Sequence, residues 1–127
     1  MRMKRTTIIW LIIGALVIVA IAGFGIYAAS APGKYDTFAK CLSAKKLTFF
    51  GAFWCPHCAE QKALFGSSVQ YLPYAECSTP DGQGQTQVCK DAGITGYPTW
   101  QLPDGTRLNG VVQLQTLSEK SGCRLPS

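Results

Sequence analysis

Residues 47–58 read LTFFGAFWCPHC. The run from Leu47 to Phe53 is apolar and of strand length, with lysines on one side and the Cys-Pro-His-Cys segment on the other, so it predicts a buried strand. Pro56 to Phe65 then carries helix signals: a proline in the first turn, the helix formers Ala59, Glu60, Gln61, Lys62, Ala63 and Leu64, and Gly66 as a stop. A strand handing over to a helix at this point makes Cys55 the helix N-cap, with Pro56 at the first helical position. Cys58 falls three residues later on the same face.

That placement has a chemical consequence. The Cys55 sulfur lies against free backbone N–H groups at the positive end of a helix dipole, which favours thiolate over thiol and predicts a pKa below the free value of about 8.5. Cys58 is within reach for ring closure, so the pair has the geometry of a nucleophile and its resolving partner. His57 is the chain's single histidine. Placed near the Cys55 sulfur it would stabilise the thiolate and make the disulfide a stronger oxidant, about 30 mV corresponding to 1.4 kcal/mol for a two-electron couple. The alternative is a solvated turn residue without effect.

Working outward, the whole chain has 127 residues, 47% hydrophobic and 15% charged, with net charge +5 and six cysteines. This predicts one small domain plus an additional segment and excludes a second domain. Disorder is excluded by the abundance of aromatic and branched apolar residues beside so few charges. Arg2, Lys4 and Arg5 supply part of the basic excess; from Lys34 onward nine Lys and Arg face seven Asp and Glu. The remaining charge is too small and dispersed for a nucleic-acid surface.

The additional segment is Ile8–Ala29, 22 residues without a charge, roughly 33 Å as a helix against a hydrocarbon core of about 30 Å. Trp10 and Tyr27 sit near its two ends and the basic residues precede it, which predicts a single-pass anchor with residues 1–7 in the cytoplasm. Residues 30–34 read as a linker and residues 35–127 as an extracytoplasmic domain, periplasmic or extracellular. A cleaved signal peptide is the competitor, because Ala29-Ser30-Ala31 has the small-x-small pattern of a cleavage site, although the apolar run exceeds the usual length of about 7 to 15 residues. Either alternative exports the rest.

In the exported part, Tyr35, Phe38, Cys41 and Leu42 recur at helical spacing after the Pro32-Gly33 break. A second strand is expected within Tyr71–Cys77, where Pro73 implies a strand start or an edge position. Ser78–Gln85, STPDGQGQ, is turn chemistry and expected to be exposed. A short helix follows around Thr86–Ala92. Tyr97–Leu102 and Thr106–Val112 read as strands joined by Pro103-Asp104-Gly105. Gln113–Ser121 closes the chain as a weakly amphipathic helix. The order α-β-α-β-α-β-β-α predicts an α/β domain with a mixed four-stranded sheet flanked by helices.

The segment FFGAFWCPHC, followed by a helix and later by Gly96-Tyr97-Pro98-Thr99, resembles the thioredoxin-like fold. More narrowly, CLSAKKLTFFGAFWCPHCAEQKALFG…LPYAECSTPDGQ…VCKDAGITGYPTW is similar to the thioredoxin-like domain fused to, or partnered with, prokaryotic vitamin K epoxide reductase homologues; the resemblance covers nearly all of residues 35–123. It implies a thiol–disulfide oxidoreductase that oxidises exported cysteine-containing proteins and passes electrons to a quinone-linked membrane partner of the vitamin K epoxide reductase type. No cofactor is bound by the chain itself, and quinone is reached only through that partner. Cys55 and Cys58 match the family's redox pair. Pro98 matches its cis-proline, with Tyr97 before it offering its backbone to a substrate strand. Phe49 stands where ordinary thioredoxins carry a buried acidic residue, a departure that weakens assisted deprotonation of Cys58 and with it a dedicated reductase. The disulfide reductase or isomerase remains the runner-up direction.

Trp54 is expected beside the active site with an edge towards substrate, the alternative being a core aromatic; Trp100 is expected in the core. Glu60 and Lys62 read as solvated helix charges without a role. Cys41, Cys77, Cys89 and Cys123 permit three connectivities. Cys77 and Cys89 bracket a polar loop whose closure removes chain entropy worth about 3 kcal/mol from the unfolded state, which favours pairing Cys77 with Cys89 and leaves Cys41 for Cys123. The functional alternative is that one of these pairs relays electrons. A metal-binding or metal-delivery module is the competitor from another class, since Cys-x-x-Cys is half of a zinc site. The second half is missing from the sequence, so no metal site is expected.

Overall fold

The computed structural model describes residues 4–29 and 31–127. Two compact units are present, Met1–Ala31 and Pro32–Ser127. Arg2, and Ser30 of the small-x-small pattern, lie outside the described residues.

The first unit is one helix, α1 (Arg5–Ala29), of 25 residues, roughly 37 Å long at 1.5 Å per residue. It begins three residues before the uncharged run because Arg5, Thr6 and Thr7 continue the helix. An 18-residue window within Arg5–Ala28 has a mean hydropathy of 2.7, and none of it is buried. The helix is long and apolar enough to cross a membrane, and is compatible with a single-pass anchor.

The second unit contains α2 (Asp36–Ala44), β1 (Thr48–Gly51), α3 (Pro56–Ala63), β2 (Tyr74–Glu76), α4 (Gln87–Asp91), β3 (Thr99–Gln101), β4 (Arg107–Asn109) and α5 (Leu114–Ser121). The four strands form one sheet in the order β2-β1-β3-β4. β1 runs parallel to β2 and antiparallel to β3, and β3 pairs antiparallel with β4. The sheet is therefore mixed. The parallel pairing requires a crossover, which α3 provides. Pro73 immediately precedes edge strand β2, where its missing N–H leaves no central ladder bond unmade.

Alternation along β1 sends its two phenylalanines to opposite faces. Phe49 is level with Tyr74 on one side and Trp100 on the other, and its ring stacks on Trp100 with centroids 4.9 Å apart. Phe38 and Leu42 from α2, Phe65 and Leu117 of α5 join them in the main core, which also includes Cys55 and Cys58. Phe50 belongs to a smaller cluster with Cys77, Cys89 and Ile94. Disulfides join Cys41 to Cys123 and Cys77 to Cys89. The first ties α2 to the chain after α5; the second ties the end of β2 to α4.

The strands are shorter than the apolar runs that announce them. β1 stops at Gly51 because Ala52 turns the chain, its carbonyl accepting the Cys55 N–H at 3.1 Å. β4 stops at Asn109, before Gly110 with φ 81°. Gly66 ends the helical run, but Gly66–Tyr71 then forms a 3₁₀ helix that the sequence reading does not include. The Ser78–Gln85 loop is less exposed than expected at its ends: Ser78 is buried and bridges to Gln85.

Candidate active site

Cys55 is the N-cap of α3, with extended backbone and Pro56 at the start of the helix. Proline fits there because a first-turn N–H has no helical partner to lose. The Cys55 sulfur accepts the Cys58 N–H at 3.2 Å, satisfying one of the free donors of the first turn. Both cysteines are free thiols. Cys55 keeps 6% of its surface exposed and Cys58 only 1%, so the outer sulfur is Cys55. Burial pushes the Cys58 thiol up to about 12, helped by its hydrogen bond with Cys55 and opposed first by a backbone hydrogen bond at Ala52 and then by the Lys62 charge.

The wall behind Cys58 comes from β1 and β2. A side chain at Gly51 would begin 3.1 Å from the Cys58 Sγ, 2.8 Å from a Tyr74 ring carbon and 3.4 Å from the Tyr74 hydroxyl. Only glycine leaves room for both groups. The Tyr74 hydroxyl donates to Glu76 Oε2 at 2.7 Å, while Glu76 Oε1 accepts the N–H groups of Phe53 at 3.1 Å and Ser78 at 2.9 Å. Burial, then the Glu76 hydrogen bond and charge, hold the Tyr74 phenol above its ordinary range. Lys62 is half-buried with its Nζ 3.7 Å from the Tyr74 ring centroid, which corrects its reading as a solvated charge.

The His57 ring lies in the open, its Nδ1 3.4 Å from Glu60 Oε2, with the two side chains 72% and 61% exposed. Its partner in the structure is thus Glu60, one turn further along α3. Glu60, expected to be without a role, is solvated but faces the imidazole.

Trp54 is 53% exposed and is not a core aromatic. Its Nε1 donates to Ser78 Oγ at 2.9 Å, and its ring meets Tyr97 edge-to-face with centroids 6.0 Å apart. Phe53 is also exposed, and Gly82 of the polar loop comes close to both rings. The Tyr97–Pro98 peptide is cis. The Tyr97 hydroxyl accepts from Gln85 Nε2 at 2.8 Å, and the same nitrogen donates to the Ile94 carbonyl at 2.7 Å. Trp54 and Tyr97 therefore form a rim held by the 78–85 loop. Trp100 is fully buried.

Tyr74, Glu76 and Gly51 are the site residues that sequence reasoning passed over, and Lys62 is one to which it gave no role. One signal was available: period-two alternation puts Tyr74 and Glu76 on the same face of β2. Their position beside Cys58 depends on the β1–β2 register, which no local pattern specifies.

No family model matches the chain. The sequence is 41% identical over 92 residues to the thiol-disulfide oxidoreductase LTO1 of Arabidopsis thaliana, an alignment covering 68% of this chain and 24% of that protein. The mixed four-stranded sheet with its flanking helices fits a thioredoxin-like α/β fold. The chain spans about a quarter of the length of that curated relative. Among the described residues of the thioredoxin-like domain, no three or more His, Cys, Asp or Glu side chains gather as a metal-binding group.

Proposed function

We propose that the chain is a membrane-anchored thiol–disulfide oxidoreductase whose catalytic domain lies outside the cytoplasm and oxidises exported cysteine-containing proteins. The observation that carries this reading is the asymmetry of the dithiol: Cys55 Sγ caps α3, while Cys58 is sealed behind it with its thiol pushed up to about 12. In the oxidised protein, a substrate thiolate attacks Cys55 Sγ, the Cys55–Cys58 bond breaks and Cys58 leaves with the electron pair, to be protonated. A second substrate thiolate then attacks the substrate sulfur of the mixed disulfide and expels Cys55 as thiolate. The substrate has lost two electrons and the protein has gained them.

Trp54, Tyr97 and Pro98 supply the substrate-facing rim in this proposal, and extended substrate pairs with backbone at residue 97. Pro56 fixes the start of α3 beneath Cys55, and a protonated His57 adds positive charge at the same helix end. The two disulfides are structural. Reoxidation runs through Cys55 attacking a disulfide of an integral membrane partner of the vitamin K epoxide reductase type, with quinone reached only through that partner; the family resemblance supports this step. The uncharged α1 run, preceded by Lys4 and Arg5, supports an anchor whose N-terminus is cytoplasmic.

The equilibrium reduction potential of the Cys55–Cys58 pair tests the direction. An oxidase is expected at about −120 to −180 mV, and a value near −270 mV would overturn it in favour of a reductase.

A further inference from the structure

We propose that the Tyr74–Glu76 pair exchanges the proton of Cys58: the Tyr74 hydroxyl takes the Cys58 proton while its own proton passes to the Glu76 carboxylate, which releases it to water. The reverse transfer protonates Cys58 when it leaves as a thiolate. No covalent bond other than O–H and S–H changes in this step. The inference rests on the dithiol exchange proposed above and assigns two proton-transfer residues to it.

The geometry points to this pair for three reasons. Cys58 Sγ and the Tyr74 hydroxyl both border the notch left by the absent Gly51 side chain, 3.1 and 3.4 Å from the point where that side chain would start. The hydroxyl is already committed to Glu76 Oε2 at 2.7 Å, so a proton accepted by Tyr74 has an onward acceptor. Glu76 is half-buried, and its other oxygen is fixed by two backbone N–H groups, so the carboxylate is both oriented and in contact with solvent.

The other groups around Cys58 are unsuited to the task. Cys55 is the reaction partner. Lys62, on the same helix, opposes the burial of a Cys58 anion through its charge, and as an ammonium it has only donors. β1 contributes Phe49, Phe50 and Gly51, none of which titrates. His57 faces Glu60 in the open. Burial favours the protonated form of Cys58, and a protonated thiol that attacks a mixed disulfide requires an acceptor in place.

The test follows the reduced full chain in detergent micelles as it reacts with oxidised glutathione, by rapid quenching and mass spectrometry. The first phase forms the Cys55–glutathione mixed disulfide; in the second, Cys58 attacks Cys55 Sγ and releases glutathione. Tyr74→Phe keeps the ring beside Phe49 and under Lys62 and removes only the hydroxyl; Glu76→Gln keeps the shape and removes the acceptor charge. Each is expected to slow the second phase by about 10²-fold at neutral pH while leaving the first within about twofold, a loss at the lower end of what positioned acid–base groups contribute. The deficit should close as hydroxide replaces the relay at high pH. A second phase unchanged in both folded variants, or slowed by one factor at every pH, would overturn the inference while leaving the dithiol reading intact. Failure of the wild-type chain to form any mixed disulfide at Cys55 would overturn both.

Discussion

The Gln61 carboxamide pairs with both backbone groups of Val112: its Nε2 donates to the carbonyl at 3.0 Å and its Oε1 accepts the N–H at 2.7 Å. Gln61 is fully buried on α3, and Val112 lies between β4 and α5. The helix that carries Cys58 is thereby fixed to the far end of the chain by a polar contact inside the core. Gln61→Leu keeps the volume but leaves a buried donor and a buried acceptor unpaired, each costing about 1–3 kcal/mol. Urea unfolding of the full chain in micelles should show a stability loss of about 2 kcal/mol or more with an unchanged slope. A loss below about 0.5 kcal/mol, the range of ordinary surface substitutions, would show that another group satisfies Val112.

Gly51→Ala sets two effects against each other. In a strand, alanine removes an entropic penalty of roughly 0.5–1 kcal/mol that glycine carries. The added methyl, however, would stand 2.8 Å from the Tyr74 ring and 3.1 Å from the Cys58 sulfur. Gly51 and Cys58 are buried, and overpacking such a site costs about 1–3 kcal/mol, so the clash should win. The thermal midpoint of the reduced protein is expected to fall by several degrees, about 4–8 °C for each kcal/mol in a domain of this size. A midpoint that rises would mean that Tyr74 moves aside freely.

The state of Cys58 makes the stability of the reduced protein depend on pH. Its thiol is raised from 9.0 to about 12 in the folded chain, so the folded state holds this proton where the unfolded state has released it. The contribution is complete below about pH 9 and is lost as pH rises through about 12. The reduced protein should therefore lose stability relative to the oxidised protein across that window, because a disulfide sulfur does not titrate. Denaturant midpoints of both forms and of reduced Cys58→Ala, taken at steps from pH 8 to 11, check this. A decline of equal size in Cys58→Ala would assign the effect to other groups.

The dithiol and its strand-to-helix setting were legible because they are local: Leu47–Phe53, Pro56 at the first helical position and the three-residue spacing of the cysteines are contiguous. Hairpin and helix order were legible for the same reason, through Pro103-Asp104-Gly105 and the run of helix formers after Pro56. Element lengths were overestimated where apolar character continues past the last ladder bond, as at Phe53 and Leu102. The 3₁₀ helix at Gly66–Tyr71 was missed because GSSVQY carries no hydrophobic period. Tyr74 and Glu76 escaped for a deeper reason. Their role depends on the parallel register that sets Phe49 opposite Tyr74, and parallel neighbours are brought together by a crossover whose sequence says nothing about which side chains will meet. The same holds for Gln61 and Val112, fifty-one positions apart.

The Cys77–Cys89 disulfide encloses a loop that reaches the rim of the site. Within it, Gln85 bridges the Ile94 carbonyl to the Tyr97 hydroxyl, and Ser78 holds the Trp54 indole at 2.9 Å. The bridge spans a sequence separation of 12, for which loop closure contributes about 3 kcal/mol through the unfolded state. Both sulfurs are fully buried against Phe50 and Ile94, so alanine at both positions also leaves a small void. The Cys77→Ala/Cys89→Ala double variant should lose about 3 kcal/mol or slightly more in denaturant unfolding. Because Trp54 Nε1 and Tyr97 are held from this loop, the exposed indole should also become more accessible to acrylamide quenching while the Cys55–Cys58 pair still forms its own disulfide. A variant that lost the ability to close Cys55–Cys58 would instead assign the second pair to the electron path.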